Sequence, residues 1–249
     1  MAGVDEVGVA PACGPVVAAA VILRPNARRI PGVRDSKTLS AAQREALDPR
    51  IRRRALAIGI GAASVAEIDR LNIYHATHLA MRRALARLGG HDHVLVDGLR
   101  IVGFEDDVGP YDAIVDGDSH VYSIACASIV AKVVRDRLMA RLAARHPGYG
   151  WERNAGYATA EHRAAMAELG VTAFHRRSFI TTRRAIEGVE QLGLDLAGGA
   201  AAGHTADGLE LPAGVPDLVP VGPGRGLAAD DGADLLAAWE EDRAAMRRA

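Results

Sequence analysis

The sequence lacks the features that mark several specialised classes of protein. No run in its 249 residues approaches the roughly 18 consecutive apolar residues of a membrane span. The N-terminus, MAGVDEVG, carries acidic residues where a secretory signal would carry positive charge. Cys13 and Cys126 lack the spacing of a metal knuckle or a disulfide framework. These absences predict a cytoplasmic protein with no membrane association and two buried thiols.

The chain also lacks an excess of charge of either sign, because 30 Lys and Arg balance 31 Asp and Glu. The net charge of the chain therefore does not indicate what kind of partner it binds. The distribution is uneven, since residues 24–54 and 132–184 are rich in Arg and Lys while the last stretch is acidic. An uneven distribution of this kind allows a local basic surface for nucleic acid.

Apolar periodicity and turn residues predict both strands and helices. The expected strands are residues 2–9, 15–23, 55–63, 94–97 and a segment near 112–115. Strands in hairpin order that then alternate with helices favour an α/β fold, in which a mixed sheet is flanked by helices.

Three helices are expected between and after these strands. Ser40 is a plausible N-cap for a helix that ends at Pro49. A second helix covers residues 64–88, and a long amphipathic helix includes Ile124 and ends before Pro147.

The last hundred residues change in character. From Tyr149 to Leu192 the pattern is helical, with a loop near residues 171–177. Residues 193–232 are dominated by Gly, Ala, Pro and Asp, a composition typical of a flexible linker. Residues 233–249 predict a C-terminal helix, which would pack on the domain, dock on a partner or extend loosely from the chain.

Carboxylates recur at the ends of predicted elements. Asp5 and Glu6 are adjacent within the first strand, Asp97 ends the fourth strand, and Asp118 precedes the long helix. Carboxylates that are gathered in one place repel each other unless divalent cations neutralise them, and oxygen ligands suit Mg²⁺ or Mn²⁺.

Each acidic residue also has a simpler interpretation. Asp beside Gly is often a turn or cap residue, and composition alone favours this interpretation. Asp116 and Asp136 compete with Asp118 for a place in any cluster, although Asp136 lies four residues after Lys132 and is expected to pair with it.

Eight ordered segments between residues 2 and 180 resemble the motifs of the ribonuclease HII family. They are AGVDEVG, GPVVAAAVIL, DSKTLS, VLVDG, GDSHVYSIACASIVAKVVRDRLM, HPGYGW, NAGYAT and HRRSF. The resemblance implies a ribonuclease H-like fold with a helical C-terminal extension from about residue 149, within a catalytic domain of residues 1–192.

The resemblance also implies an activity and a metal site. The metal-binding and catalytic residues would be Asp5, Glu6, Asp97 and Asp118, which would hold two Mg²⁺ or Mn²⁺ ions. The implied reaction is cleavage of the RNA strand of an RNA–DNA hybrid, or of DNA that contains ribonucleotides, by a monomeric enzyme. The products would carry 5′-phosphate and 3′-hydroxyl ends.

The implied substrate-binding residues depart from the family in part. Gly8, Val9 and Ala10 stand where the family has Gly-Arg-Gly, so the cationic side chain is missing, and alanine is unsuited to a positive φ. Lys37 and Tyr157 match expected contacts to phosphate and to the ribose hydroxyl. Their simpler interpretations are a solvated lysine and a packed ring.

Further substitutions predict a weakened clamp on the nucleic acid. Asp116, His120 and Ala155 stand where the family usually has Lys, and Ala158 replaces a Gly. The prediction is a nuclease with altered junction preference. The alternatives are an inactive nucleic-acid-binding paralogue and, less favoured, a junction resolvase on the same fold.

Other polar residues predict structural roles. Ser123 and Ser128 lack the His and acid partners of a nucleophile, so packing or backbone hydrogen bonding is expected. His162 and His175 are expected to make structural hydrogen bonds, and Trp151 is expected in the core.

Overall fold

A five-stranded mixed sheet forms the centre of the protein in a computed structural model that describes residues 1–188. The strands are β1 (Ala2–Val7), β2 (Val16–Leu23), β3 (Ala55–Ala63), β4 (Val94–Asp97) and β5 (Tyr111–Ile114). Their order is β3-β2-β1-β4-β5. β1 pairs antiparallel with β2 and parallel with β4, and β5 pairs parallel with β4. The predicted mixed sheet is therefore confirmed.

Helices cover both faces of this sheet. Those that the structure describes are α1 (Ala41–Arg54), α2 (Val65–Leu71), α3 (Ile73–Ala86), α4 (Phe104–Val108), α5 (Gly117–His120), α6 (Tyr122–Arg145), α7 (Trp151–Asn154), α8 (Ala160–Leu169) and α9 (Ile180–Glu187). Alternation along β2 sends Val17 and Ala19 into the core under α6, and Val16 and Ala18 into the core under α3. Within residues 1–188 no helix is long and apolar enough to cross a membrane.

Helix α6 lies directly on β1. A Cβ atom at Gly3 would lie 2.4 Å from the backbone carbonyl carbon of Ser123, so only glycine permits this approach. The close packing aligns α6 along the strand that carries Asp5 and Glu6. Sheet and helix thereby fix the framework around the acidic residues.

The predicted end of the first helix at Pro49 is wrong. α1 continues through Pro49 to Arg54. Ile51 is fully buried in the core, and Arg52 Nε donates to the Asp48 carboxylate at 3.0 Å. Packing and this pair stabilise a turn that lacks one backbone hydrogen bond.

The helix predicted over residues 64–88 is divided at Asn72. This residue has φ 69°, which the right-handed helix does not allow. Its side chain accepts a hydrogen bond from the His75 amide at 3.1 Å and so begins α3. The predicted linker and C-terminal helix, residues 193–249, lie outside the described residues.

Candidate active site

Strand pairing brings two of the predicted carboxylates together. Val4 of β1 lies opposite Val96 of β4 in a parallel register. The next residue of each strand, Asp5 and Asp97, is therefore a neighbour of the other on the face that α6 covers. Glu6 follows Asp5 at the end of β1, where the strand approaches solvent.

A backbone hydrogen bond adds Asp118 to this group. The Gly117 amide donates to Asp97 Oδ1 at 2.7 Å, which holds the start of α5 against the end of β4. Asp118 lies in the first turn of α5 and is 5% exposed. It does not cap this helix, whose N-cap is Asp116. The structure thus places Asp5, Glu6, Asp97 and Asp118 at one end of the sheet.

The four carboxylates form an unfavourable concentration of negative charge. Burial raises the pKa of Asp5 well above its usual value, and the charges of Glu6 and Asp97 raise it further. Burial, followed by the charge on Asp97, raises the pKa of Glu6 to about 7. Burial also raises the pKa of Asp118.

Lys37 lies at the rim of this carboxylate cluster. Its Nζ is 3.9 Å from Asp118 Oδ2, and its side chain is 82% exposed. Partial burial lowers its pKa, but nearby carboxylates, Asp118 first, outweigh that effect and raise the pKa. Because Lys37 extends into solvent, it borders the cluster without filling it.

Sequence reasoning missed three features around the carboxylate cluster: Asp35, Ser36 and the contact made by Ser128. The charge on Asp35 raises the pKa of Asp118, so Asp35 is a further nearby carboxylate. A hydrogen bond from Ser128 lowers the pKa of Asp5, and Ser128 Oγ lies 2.7 Å from Ser36 Oγ. Ser128 therefore does more than pack. The signal for Asp35 and Ser36 was the DSKTLS segment that contains Lys37.

The donor set of the cluster fits a hard divalent cation. Carboxylate oxygens are the ligands that Mg²⁺ and Mn²⁺ prefer, and Asp118 Oδ2 is buried with no hydrogen-bond partner. Across residues 1–188, no three His, Cys, Asp or Glu side chains are already arranged as a metal site. The fit therefore rests on the chemistry of the donors and on their uncompensated charge.

The competing aspartates have other positions. Asp136 accepts from Lys132 at 2.6 Å and faces Arg44 at 3.4 Å, which confirms the predicted helix-surface pair. Asp116 has φ 53° at the start of α5, a backbone conformation that costs energy in a residue other than glycine.

The loop between β1 and β2 contains the three predicted substrate contacts Gly8, Val9 and Ala10. Gly8 has φ 94°, whereas Ala10 is not among the non-glycine residues of positive φ. The conflict expected at Ala10 therefore does not arise. Val9 is 38% exposed, so its uncharged side chain faces solvent. The strained alanine is Ala155, with φ 49°.

Two fully buried arginines hold this loop by its carbonyl groups. Arg176 donates to the carbonyls of Gly14 at 2.8 Å and Val9 at 2.7 Å, and also to that of Gly8. Arg135 donates to Pro15 at 3.0 Å and Cys13 at 3.1 Å, and it also reaches Ala155. Burial lowers the pKa of both guanidiniums, that of Arg176 to about 9.

Tyr157 lies beside this loop and is 47% exposed, so its side chain is not enclosed in the core. Its carbonyl accepts from His162 Nδ1 at 2.8 Å. His162 Nε2 in turn accepts from Trp151 Nε1 at 2.9 Å and lies 3.1 Å from His175 Nε2. The structural roles predicted for the two histidines and the core position of Trp151 are confirmed.

Comparison with known proteins identifies the family. A family model described as ribonuclease HII matches residues 2–182. The ribonuclease HII of Thermosynechococcus vestitus is 58% identical over 180 residues, covering 72% of this chain and 82% of that protein. That of Ruegeria pomeroyi is 56% identical over 187 residues, covering 74% and 77%.

Solved structures show the same fold. The ribonuclease H2 of Pyrococcus horikoshii superposes with a TM-score of 0.66 at 26% identity, covering 75% of this chain and 97% of that one. The PCNA:RNase HII complex of Archaeoglobus fulgidus gives a TM-score of 0.64 at 26% identity, with 78% and 98% covered. The chain belongs to the ribonuclease HII family of metal-dependent endoribonucleases.

Proposed function

We propose that the protein hydrolyses the RNA strand of RNA–DNA hybrids and cuts at ribonucleotides embedded in DNA, leaving 5′-phosphate and 3′-hydroxyl ends. The observation that carries this proposal is the convergence of Asp5, Glu6, Asp97 and Asp118 at one sheet end, where burial and mutual repulsion raise carboxyl pKa values. Such a cluster binds divalent cations, because their positive charge relieves the repulsion among the carboxylates.

The four carboxylates would hold two Mg²⁺ or Mn²⁺ ions, which supply Lewis-acid activation of water and stabilisation of the leaving oxygen. The other residues of the site position these ligands. Ser128 orients Asp5, and the Gly117 amide orients Asp97. Lys37 supplies a positive charge at the rim, which suits a phosphate of the scissile strand.

Substrate recognition is assigned to the β1–β2 loop and Tyr157. The exposed ring of Tyr157 is available to stack on a ribose, and its hydroxyl is available to the 2′-hydroxyl. Arg176 and Arg135 fix the loop backbone, which holds Gly8 and Ala10 in place for backbone contacts to the nucleic acid. Because Val9 carries no charge, we propose an altered junction preference.

We further propose that the catalytic domain, residues 1–192, acts as a monomer in the cytoplasm. One chain supplies all four carboxylates, so the site needs no second copy. Cys13 and Cys126 are both free and buried, as expected in a reducing compartment.

Cleavage assays test the proposal directly. The purified protein should cut a duplex with one ribonucleotide and an RNA–DNA hybrid only when Mg²⁺ or Mn²⁺ is present. Asp5→Asn should abolish cleavage and leave the circular dichroism spectrum unchanged, whereas Asp136→Asn, on the surface of α6, should keep normal activity. Binding of both substrates without metal-dependent cleavage would support the inactive paralogue instead.

A further inference from the structure

A second cationic surface lies outside the carboxylate cluster. This surface, here named the arginine face, consists of Arg24, Arg28, Arg29, Arg53 and Arg54, all exposed. Four of them, with Pro25 and Ala27, line an open cleft of about 320 Å³, and Arg29 adjoins it in sequence.

Two segments of the chain meet to form this face. The first follows the end of β2, and the second is the last turn of α1, where Arg52, Arg53 and Arg54 are consecutive. Arg54 donates to the carbonyl of Arg28, which joins the two segments. Basic residues in a last helical turn are favoured by the helix dipole, so the local sequence promotes this accumulation of charge.

Within residues 1–188, no carboxylate neutralises the charge of the arginine face. Throughout the described part of the chain, none of its five arginines has a carboxylate within 4.0 Å, whereas Arg52 pairs with Asp48 at 3.0 Å. Exposed guanidinium groups without a carboxylate partner are available to bind an anion from solution. Guanidinium groups bind phosphate oxygens with two parallel hydrogen bonds, so phosphate is a suitable anion.

Arg29 links the arginine face to the start of α6, whereas Arg24 and Arg54 flank the paired residues Leu23 and Ala55, at the opposite end of the strands from Asp5 and Asp97. The Arg29 guanidinium carbon lies 5.3 Å from the centroid of the Tyr122 ring, and the Ile30 amide donates to the Tyr122 hydroxyl at 2.5 Å. Tyr122 follows Asp118 by four residues, a span of at most about 14 Å. One turn of duplex, roughly 34 Å, is long enough to cover both surfaces.

We propose that the arginine face binds backbone phosphates of the duplex arm that flanks the cleaved ribonucleotide. The inference rests on the proposed function and adds a site that the carboxylate cluster does not require. Contacts of this kind raise affinity and its salt dependence without reading bases. They would also supply phosphate contacts that Asp116, His120 and Ala155 cannot make.

The test compares two hybrid substrates of different length. One has about 8 base pairs and no arms. The other has DNA arms of about 20 base pairs on both sides, and two further versions of it each lack one arm. The variant is Arg28→Ala with Arg53→Ala. The control is Arg82→Ala with Arg100→Ala, which removes the same charge from a half-buried arginine paired with Asp107 and an exposed arginine paired with Glu105.

For the long substrate, the Arg28/Arg53 variant should raise KM about tenfold and flatten the slope of log KM against log salt by about two. Its kcat and its KM for the short substrate should match the wild type. Of the two one-armed substrates, the one that lacks the bound arm should give the same KM with the variant as with the wild type. This comparison identifies the bound arm. Arg28→Lys with Arg53→Lys should retain most of the salt slope, because the charges remain.

Equal KM values and salt slopes for the Arg28/Arg53 variant and its control on the long substrate would overturn the inference. Binding of an all-DNA duplex, followed by fluorescence anisotropy, keeps the test independent of catalysis. If the wild type cuts neither substrate, the proposed function fails, while the anisotropy comparison still decides whether the arginine face binds phosphate.

Discussion

Ser128 Oγ lies 2.7 Å from Ser36 Oγ, and this contact joins the long helix α6 to the loop that presents Lys37. Ser128 is also close enough to Asp5 for its hydroxyl to lower the pKa of that carboxyl. A single serine therefore connects the carboxylate at the centre of the cluster to the lysine at its rim. The relationship makes Ser128 a positioning residue for Asp5.

Replacement of Ser128 by Ala should raise the pKa of Asp5 further, because the hydrogen bond that favours the charged form is lost. Protonated Asp5 binds metal poorly, so the acidic limb of the pH–rate profile should move to higher pH. The Mg²⁺ concentration for half-maximal activity should rise about tenfold, consistent with a change of about 1.4 kcal/mol.

Ser36→Ala is the matched control for this change. It removes the serine–serine contact and leaves the Ser128 bond to Asp5 in place, so the pH–rate profile should stay close to that of the wild type. Identical profiles for both variants would show that Ser128 acts on the loop and has no influence on Asp5.

Stability of the metal-free protein should fall as pH rises from about 4.5 to about 7. The pKa of Glu6 is 4.5 in an unfolded chain and about 7 in the folded protein, so folding takes up a proton in this window. The stabilisation is complete below pH 4.5 and is lost above pH 7. A decrease on the order of 2 kcal/mol in the free energy of unfolding corresponds to a decrease of roughly 4–8 °C in Tm.

Thermal unfolding at a series of pH values, with and without Mg²⁺, measures this effect. Added Mg²⁺ should raise Tm more at pH 8 than at pH 5, because the deprotonated carboxylates bind it. Glu6→Gln should give a flatter profile in the absence of metal. Parallel profiles for this variant and the wild type would contradict the assignment of the transition to Glu6.

Local patterns were sufficient to predict the sheet. β3 and β4 begin and end where their apolar runs begin and end, and β1 and β2 differ by one or two residues. The errors arose where tertiary contacts decide the outcome. Burial of Ile51 carries α1 past Pro49, and Asn72 interrupts a run whose apolar spacing continues on both sides.

The acidic residues of the site were predictable because each lies at the end of a regular element within a recognisable motif. The buried arginines were not. Arg176 contacts the backbone carbonyls of Gly8 and Gly14, which are more than 160 residues away. Because every residue has a backbone carbonyl, the sequence does not indicate which carbonyls an arginine will contact. Only the folded chain shows that a basic residue of the HRRSF segment positions the β1–β2 loop.

Arg176→Lys should therefore alter specificity as well as stability. Lysine cannot reach three carbonyls with one ammonium group, so at least one buried carbonyl loses its partner, at a cost of about 1–3 kcal/mol. With the loop less well fixed, cleavage at a single embedded ribonucleotide should fall about tenfold more than cleavage of a continuous hybrid. Rates are measured below the Tm of the variant.

Arg177→Lys serves as the control, because Arg177 is the exposed neighbour in the same segment. Its ratio of single-ribonucleotide to hybrid cleavage should equal that of the wild type. If Arg176→Lys lowers both activities by the same factor, Arg176 maintains the fold only and does not position the loop for recognition.

Val9→Arg should strengthen junction recognition. Val9 is exposed in a loop whose carbonyls face Arg176, so a longer side chain has room to extend into solvent and reach a phosphate. One added phosphate contact should steepen the salt dependence of KM by about 0.9 in log–log slope and lower KM for the single-ribonucleotide duplex several-fold. Val9→Leu, which adds bulk without charge, should leave both quantities unchanged. Equal KM values for the two variants would show that this loop position does not contact nucleic acid, and that the proposed change in junction preference does not arise from Val9.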